Sequence, residues 1–249
     1  MISKAQIKYI QSLEQKKHRH AAGKFVAEGV KVVDEMLDSP LSIHHIYATE
    51  EWLAQHTGYA EANPGKVTAI TQEELERTSF QRNPNQVLAL VDMPEPPNNL
   101  LVTDEVVLAL DHINDPGNMG TILRIADWFG ITKVFYSANS VDAYNPKVVQ
   151  STMGSIARIQ HMECDLAQLL QTNYQTVPVL AAVLDGQPVS KMERLTRGII
   201  VIGSESHGID PALLQWCTQG ITIPRIGRAE SLNAAVATGI ICAHLLSER

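Results

Sequence analysis

Cysteine is scarce and poorly placed for cross-linking: Cys164, Cys217 and Cys242 are the three in 249 residues. No C-x-x-C pair occurs and the count is odd, which argues against a disulfide framework. No apolar run approaches the roughly 20 residues of a membrane-spanning helix, and the run over 177–184 is broken at Pro178. The opening Met1-Ile2-Ser3-Lys4-Ala5-Gln6 leads into no apolar segment of the secretory type. Neither G-x-x-x-x-G-K-[ST] nor G-x-G-x-x-G is present, so the common phosphate-binding loops are missing. His18 with His20, and His44 with His45, lack a companion Cys or Asp cluster at ligand spacing, so no metal is expected. These absences predict a reduced, cytoplasmic protein that uses neither membrane nor metal.

What is present is a globular composition, 45% hydrophobic and 19% charged. The length suits one large domain or two small ones, and a chain of this size buries roughly 70–75% of its unfolded surface. The net charge of −7 is unevenly spread. Residues 1–31 hold seven basic and two acidic side chains, whereas residues 32–97 hold three and eleven. An acidic chain therefore opens with a basic arm. The arm is either a solvated helix face or a strip that contacts phosphates, with Lys16, Lys17, Arg19 and Lys24 as candidates.

The clearest boundary is Val91-Asp92-Met93-Pro94-Glu95-Pro96-Pro97-Asn98-Asn99, whose prolines suit neither a helix interior nor a central strand. It separates residues 1–97 from 98–249. In the first part the pattern predicts a polar helix over 4–20 and an amphipathic helix over 29–37 with Val30, Val33, Met36 and Leu37 inward. Strands are expected over 43–48, 67–70 and 86–91, and Thr71-Gln72-Glu73-Glu74 is a capping box. In the second part short apolar runs fall at 106–110, 133–136, 179–184, 198–202 and 220–223, with helical stretches between most of them. Such alternation implies a mostly parallel sheet covered on both faces. Ligands bind such sheets beyond the carboxyl ends of the strands.

Three loops follow those strands. The first is Asp111-His112-Ile113-Asn114-Asp115-Pro116-Gly117-Asn118-Met119-Gly120, with a turn at Asp-Pro-Gly and Asn118 placed to cap the next helix. On that helix Met119, Ile122, Ala126 and Phe129 share a stripe, and Arg124 lies about 200° around from Ile122, off the core. Arg124 and Asn118 are either an ordinary solvated side chain and cap, or a pair presented at the sheet edge. The second loop, Gly203-Ser204-Glu205-Ser206-His207-Gly208-Ile209-Asp210-Pro211, has glycines for close backbone approach and an Asp-Pro helix start. The third, Ile223-Pro224-Arg225-Ile226-Gly227-Arg228-Ala229-Glu230-Ser231-Leu232-Asn233, crowds polar residues at the entrance of the last helix, which Ser231 or a near neighbour caps. On that helix Leu232, Val236, Gly239, Ile240, Ala243 and Leu246 recur.

In this order the loops resemble the SpoU, or TrmH-like, branch of the SPOUT RNA methyltransferases. The strings that carry the resemblance are Asp115-Pro116-Gly117-Asn118-Met119-Gly120-Thr121-Ile122-Leu123-Arg124, then Gly203-Ser204-Glu205-Ser206-His207-Gly208, then Ile223-Pro224 with Ser231-Leu232-Asn233. Each is weak alone, but in sequence they are specific, and the match spans 104–249. Residues 1–97 resemble the family's L30e-like substrate-binding domain through Phe25-Val26-Ala27-Glu28-Gly29 and the strand 87–91. Asn83-Pro84-Asn85-Gln86 stands where relatives often carry Pro-Gln-Gly.

The resemblance implies an α/β fold in which a SPOUT domain, with a trefoil knot and a mostly parallel sheet, follows a small L30e-like α/β domain. It implies S-adenosylmethionine as cofactor, held by backbone groups of Gly203, Ile223 and Leu232 with help from Ala182 and Val183. It also implies a homodimer and an RNA substrate methylated at a ribose 2′-hydroxyl, with rRNA favoured over tRNA by the two-domain form. Arg124 is then assigned to the hydroxyl, and Asn118 to orienting Arg124 or the ribose. Glu205, Ser231 and Asn233 organise the pocket, with Glu205 accepting the proton through water. Keeping an arginine neutral near pH 7 costs roughly 7 kcal/mol, given a pKa above about 12. A cation that positions phosphate and stabilises the forming alkoxide is the easier role. Three other readings stand beside this one. The first is a tRNA methyltransferase. The second is a non-catalytic RNA-binding or ribosome-assembly protein on the same scaffold, opposed by the retained polar set. The third is a nucleotide-binding metabolic enzyme, opposed by the missing phosphate loop.

Overall fold

A computed structural model describes residues 2–96 and 99–247. The boundary expected between residues 97 and 98 lies on residues outside those described. The chain divides into two compact units, Met1–Glu95 with Tyr144–Ala157, and Pro96–Ala143 with Arg158–Arg249. Residues 144–157, inside the 98–249 range expected for the second part, group with the first unit.

In the first unit Ser3 opens α1 (Lys4–Ser12) with a reciprocal capping box. The single helix expected over 4–20 is two, because the chain turns at Leu13 before α2 (Lys16–Ala22). Arg19 explains the turn. The last carbonyls of a helix lack intrahelical partners, and the Arg19 guanidinium donates to the carbonyls of Leu13 at 2.8 Å and Glu14 at 2.6 Å. Arg19 is therefore buried, which corrects its place in the basic arm.

After α2 come β1 (Lys24–Glu28), α3 (Val30–Leu37), β2 (Ile43–Ala48), α4 (Glu50–Gln55), α5 (Thr57–Ala62), β3 (Val67–Ala69), α6 (Gln72–Thr78) and β4 (Val87–Asp92). The capping box at Thr71 starts α6 as expected. The sheet order is β1-β4-β2-β3, with β4 antiparallel to both neighbours and β3 parallel to β2. Side chains alternate across it. Phe25, Ala27, Val87, Ala89 and Val91 face a core with Val33, Met36 and Trp52, while Val26, Leu88 and Leu90 face another with Ile10, Leu13 and Leu75. Val149, Ile156 and Ala157 complete the first of these cores, which is why their segment groups with this unit.

The second unit runs β5 (Val106–Leu110), α7 (Pro116–Trp128) and β6 (Lys133–Tyr136). The interposed segment carries α8 (Pro146–Ser151). Then follow β7 (Gln160–Glu163), α9 (Leu166–Asn173), β8 (Val179–Pro188), β9 (Gly198–Ile202), α10 (Pro211–Leu214), β10 (Gln219–Thr222) and α11 (Ala234–Leu246). The sheet is parallel throughout, in the order β10-β8-β9-β5-β6-β7. The central β5 and β9 are almost continuously apolar, as strands covered on both faces must be. The face of Val107, Ala109, Ile199 and Val201 packs with Leu169, Leu170 and Leu213, from α9 and α10, and α7 packs with α11. Among the described residues no helix is long and apolar enough to cross a membrane.

Strands β8 and β10 pair irregularly. Gly220 is opposite Ala181, but the next residue, Ile221, is opposite Gln187, so residues 182–186 bulge out of the ladder. Gly186 permits this, since a Cβ there would lie 2.6 Å from the Ile221 carbonyl carbon. The expected strand over 179–184 therefore continues to Pro188 through a bulge that its apolar run does not announce.

One buried carboxylate tests the packing of the first unit. Glu28 accepts hydrogen bonds from the Phe80 amide at 3.0 Å and from the Ser79 hydroxyl. Burial raises its pKa above 4.5 despite those bonds. A raised folded value means that Glu28 favours folding below its unfolded pKa, and that this contribution is lost as pH rises through the folded pKa. The thermal midpoint of Glu28→Gln, followed by circular dichroism, should therefore improve relative to wild type between about pH 4 and pH 8. A difference that stays constant with pH would contradict the assignment.

Candidate active site at the carboxyl edge of the parallel sheet

Three loops leave the carboxyl ends of β5, β9 and β10. The first begins with Asp111, a buried carboxylate. Its Oδ1 lies 2.8 Å from His112 Nδ1, and its Oδ2 accepts the Asp210 amide at 2.9 Å. One side chain thus ties the first loop to the end of the second. His112 has a positive φ of 55°, an uncommon conformation outside glycine that this contact accompanies.

Asp115, not Asn118, caps α7. Its Oδ1 accepts the Asn118 amide at 2.8 Å, and Pro116 occupies the first helical position, where a missing N–H costs nothing. The Asp-Pro-Gly expected as a turn is the cap and first turn of the helix. That correction frees the Asn118 side chain. Met119, Ile122 and Ala126 are buried as the stripe required, and Arg124 is exposed, with no hydrogen bond or ion pair among the described residues.

The second loop closes on itself. The Ser204 amide donates to the Gly208 carbonyl at 3.1 Å, the Gly208 amide returns to the Ser204 carbonyl at 3.0 Å, and the Ser204 Oγ accepts the His207 amide at 3.1 Å. Gly203 sits under this turn. Glu205 projects from its tip, exposed to solvent.

The third loop, residues 223–233, ends at Asn233, which caps α11. Asn233 Oδ1 accepts the amides of Ala235 at 3.0 Å and Val236 at 3.2 Å. Its oxygen must face those donors, so its Nδ2 must point outward. Nδ2 donates to Asn118 Oδ1 at 2.8 Å and to Glu205 Oε1 at 2.6 Å. Glu205 Oε1 also accepts Asn118 Nδ2 at 2.9 Å and the Ala234 amide at 3.2 Å. The carboxylate therefore meets the amino end of α11, where helix dipole and amide favour negative charge.

The structure thus brings Asn118, Glu205 and Asn233 into one hydrogen-bonded cluster. Both polar atoms of the Asn118 side chain are engaged in it, so its partners are Glu205 and Asn233, not Arg124. Ser231 is exposed and, among the described residues, makes no hydrogen bond; the cap expected of it or a neighbour falls to Asn233. Because β8 lies between β9 and β10, Gly203, the bulge with Ala182 and Val183, and Ile223 are consecutive along the sheet edge. Ala182 and Val183 are half-buried in the bulge, whereas Leu184 and Leu232 are exposed. The Thr222 hydroxyl donates to the Leu184 carbonyl at 2.9 Å and pins the bulge to the third loop. Of the basic arm, Lys16 and Lys17 are exposed, and Lys24 pairs with Asp92 at 3.5 Å. In the sequence Asp111 is legible only as a polar residue after a buried strand, and Asp115 only as part of a turn.

Known proteins resemble the chain over most of its length. Residues 105–243 match the sequence model of the SpoU rRNA Methylase family, and residues 4–89 match that of an MRM3-like substrate binding domain. The chain is 30% identical over 244 residues to the 23S rRNA (guanosine(2553)-2′-O)-methyltransferase RlmP of Bacillus subtilis, covering 96% of this chain and 95% of that one. A TrmH-family protein from Porphyromonas gingivalis superposes with a TM-score of 0.87 at 36% identity over 98% of both chains. The AdoMet-bound rRNA methyltransferase from Sinorhizobium meliloti gives 0.86 at 28% identity, covering 98% of this chain and 96% of that one.

The closure of the second loop depends on a missing side chain. A Cβ at Gly203 would lie 2.2 Å from the Gly208 carbonyl carbon and 2.4 Å from its oxygen, backbone atoms that cannot swing aside. Gly203→Ala should cost about 1–3 kcal/mol in urea unfolding, as an overpacked site does. An unchanged midpoint would show that the turn spreads freely.

Proposed function

The chain belongs to the SpoU rRNA Methylase family, and we propose that it transfers a methyl group from S-adenosylmethionine to a ribose 2′-hydroxyl of ribosomal RNA. The observation that carries this reading is the joining of Asn118, Glu205 and Asn233 at the sheet edge, with an unengaged arginine, Arg124, on the same helix as Asn118. The names of the relatives favour rRNA as substrate over tRNA.

The sheet edge suits the cofactor. The close-packed glycine turn at Gly203, the bulge at Ala182 and Val183, and the segment from Ile223 offer backbone groups along one edge, with apolar side chains at Leu184 and Leu232 beside them. In the proposal, backbone groups of Gly203, Ile223 and Leu232 hold S-adenosylmethionine, with Ala182 and Val183 against it. When bound, it supplies a methyl group on a cationic sulfur. The methyl would pass to the ribose oxygen as the carbon–sulfur bond breaks, leaving neutral S-adenosylhomocysteine, and the hydroxyl proton would leave through water to Glu205 Oε2. Arg124 holds an RNA phosphate and the hydroxyl, and its charge stabilises the oxygen as it loses its proton. Glu205 Oε1 accepts three N–H donors and ties the loops together, which leaves Oε2 as the oxygen that takes the proton through water. The exposed Ser231 hydroxyl is available to hydrogen-bond a ligand.

The proposal includes a homodimer, a trefoil knot and a division of labour in which residues 1–97 select RNA. Support for the dimer comes from α11, which is apolar on nearly every side although Val236 is 51% exposed. A helix apolar all round is normally buried. The knot is carried over from the resemblance to the SPOUT methyltransferases. Lys16 and Lys17 remain the phosphate contacts proposed for the arm.

Cofactor binding is tested by titration calorimetry with EDTA present; absence of heat at high micromolar S-adenosylmethionine would remove the reading. Arg124→Ala should retain cofactor affinity while methyl transfer falls by roughly a hundredfold or more. Arg124→Lys should be nearly as inactive, since lysine keeps the charge but lacks the planar fork. Glu205→Gln can still present an accepting oxygen to the tie but cannot take the proton, so it should lose most activity, as should Glu205→Ala. Activity kept in Glu205→Gln alone would leave Glu205 only as a tie between loops. Val236→Glu should shift the dimer to monomer in light scattering, and a wild-type monomer at tens of micromolar would contradict the assembly.

A further inference from the structure

Helix α7 carries a feature that the reaction proposed above does not use. Trp128 is 84% exposed at its last position. It lies four residues beyond Arg124, and residues four apart on a helix share a face. Thr121 is exposed on the same stripe, so Thr121, Arg124 and Trp128 line one side while Met119, Ile122, Leu123 and Ala126 fill the core. The end of the helix is held firmly. Arg158 grips the neighbouring Asp127, with Nε at 3.0 Å and Nη2 at 2.8 Å from Oδ2, and Gly130 turns the chain away with φ of 71°. The indole is thus offered to solvent from the last turn of a helix that Arg158 ties down beside it.

Single exposed aliphatic residues are ordinary. A bare indole one turn from an unengaged guanidinium is a different case, because the two groups together match one chemistry. Unpaired RNA offers phosphates to the guanidinium and flat base faces to the indole. The chain is net acidic, so a cation beside an aromatic on this face is a local exception to its charge.

Building on the methyltransferase reading, we propose that Trp128 is a stacking platform for an unpaired base of the RNA next to the ribose that Arg124 engages. The partner is single-stranded or looped RNA, and the contribution of Trp128 is to bind the strand beside the target nucleotide.

The test uses the full chain and ribosomal RNA from a strain lacking the gene. Trp52 is fully buried and Trp216 packs edge-on against Tyr174, so the exposed indole is Trp128. Its emission should be red-shifted in free protein and quenched on adding RNA, and Trp128→Phe should abolish most of that response. Trp128→Ala should raise KM for RNA about five-fold or more, the scale of one lost base–aromatic stack, with kcat and cofactor affinity preserved. Trp128→Phe should recover most of the loss, and the salt slope of binding should be the same in all three proteins, since no phosphate contact is removed. The proposal is overturned by RNA that binds without quenching, or by Trp128→Ala with unchanged KM. It is equally overturned by blue-shifted emission in free protein together with a change of oligomeric state in Trp128→Ala, which would make Trp128 a contact between copies of the chain. If wild-type protein transfers no methyl group at all, it is the methyltransferase reading that fails, and quenching by RNA still decides the role of Trp128.

Discussion

Glu205 Oε1 is where three distant parts of the chain meet. It accepts the side-chain amides of Asn118 and Asn233 and the backbone amide of Ala234, across sequence separations of 87, 28 and 29 residues. Asn233 adds the link from α11 to Asn118, while its oxygen caps the helix. Hydrogen bonds to an ionised acceptor are about twice as strong as neutral ones. Solvent at this exposed point weakens them, so the value of the cluster lies in geometry more than in stability. The entrance to α7, the tip of the second loop and the entrance to α11 are held in one arrangement before any ligand arrives.

The rest of the second unit serves that arrangement. Parallel strands bring their carboxyl ends to one edge, and the order of β9, β8 and β10 sets Gly203, the bulge and Ile223 side by side. Asp111 provides a second tie deeper in the edge, joining His112 to the amide that begins the Asp210-Pro211 helix start. A buried carboxylate is costly unless its oxygens are satisfied, and here both have donors or a ring nitrogen. Arg124 and Trp128 lie outside these ties, on the exposed side of α7, where they can meet a large ligand.

Much of this was legible in the sequence, for physical reasons that differ by element. The central strands β5 and β9 stand out because burial on both faces demands uninterrupted apolar residues. Strand β7 does not, since Gln160-His161-Met162-Glu163 buries only His161 at the sheet edge. The α7 cap is ambiguous in the sequence because Asn118 and Asp115 are both good caps, and only the fit of Pro116 at the first helical position selects Asp115. Arg19 looks like its lysine neighbours in a charge count. Its interior role depends on the turn at Leu13, which a periodic pattern does not mark. The cluster residues were each visible as polar residues after a strand, but their mutual bonds follow from the strand order, which local pattern does not encode. The grouping of 144–157 with the first unit is likewise a matter of which core Val149 and Ile156 fill.

The central claim is that the chain methylates a ribose oxygen. Purified full-length protein, S-adenosylmethionine and ribosomal RNA from a strain lacking the gene, followed by alkaline hydrolysis mapping, test it most directly. Alkaline cleavage uses the free 2′-hydroxyl as nucleophile, so methylation there should create one new alkali-resistant linkage. Methyl groups incorporated while every linkage stays alkali-labile, or no incorporation despite bound cofactor, would contradict the account.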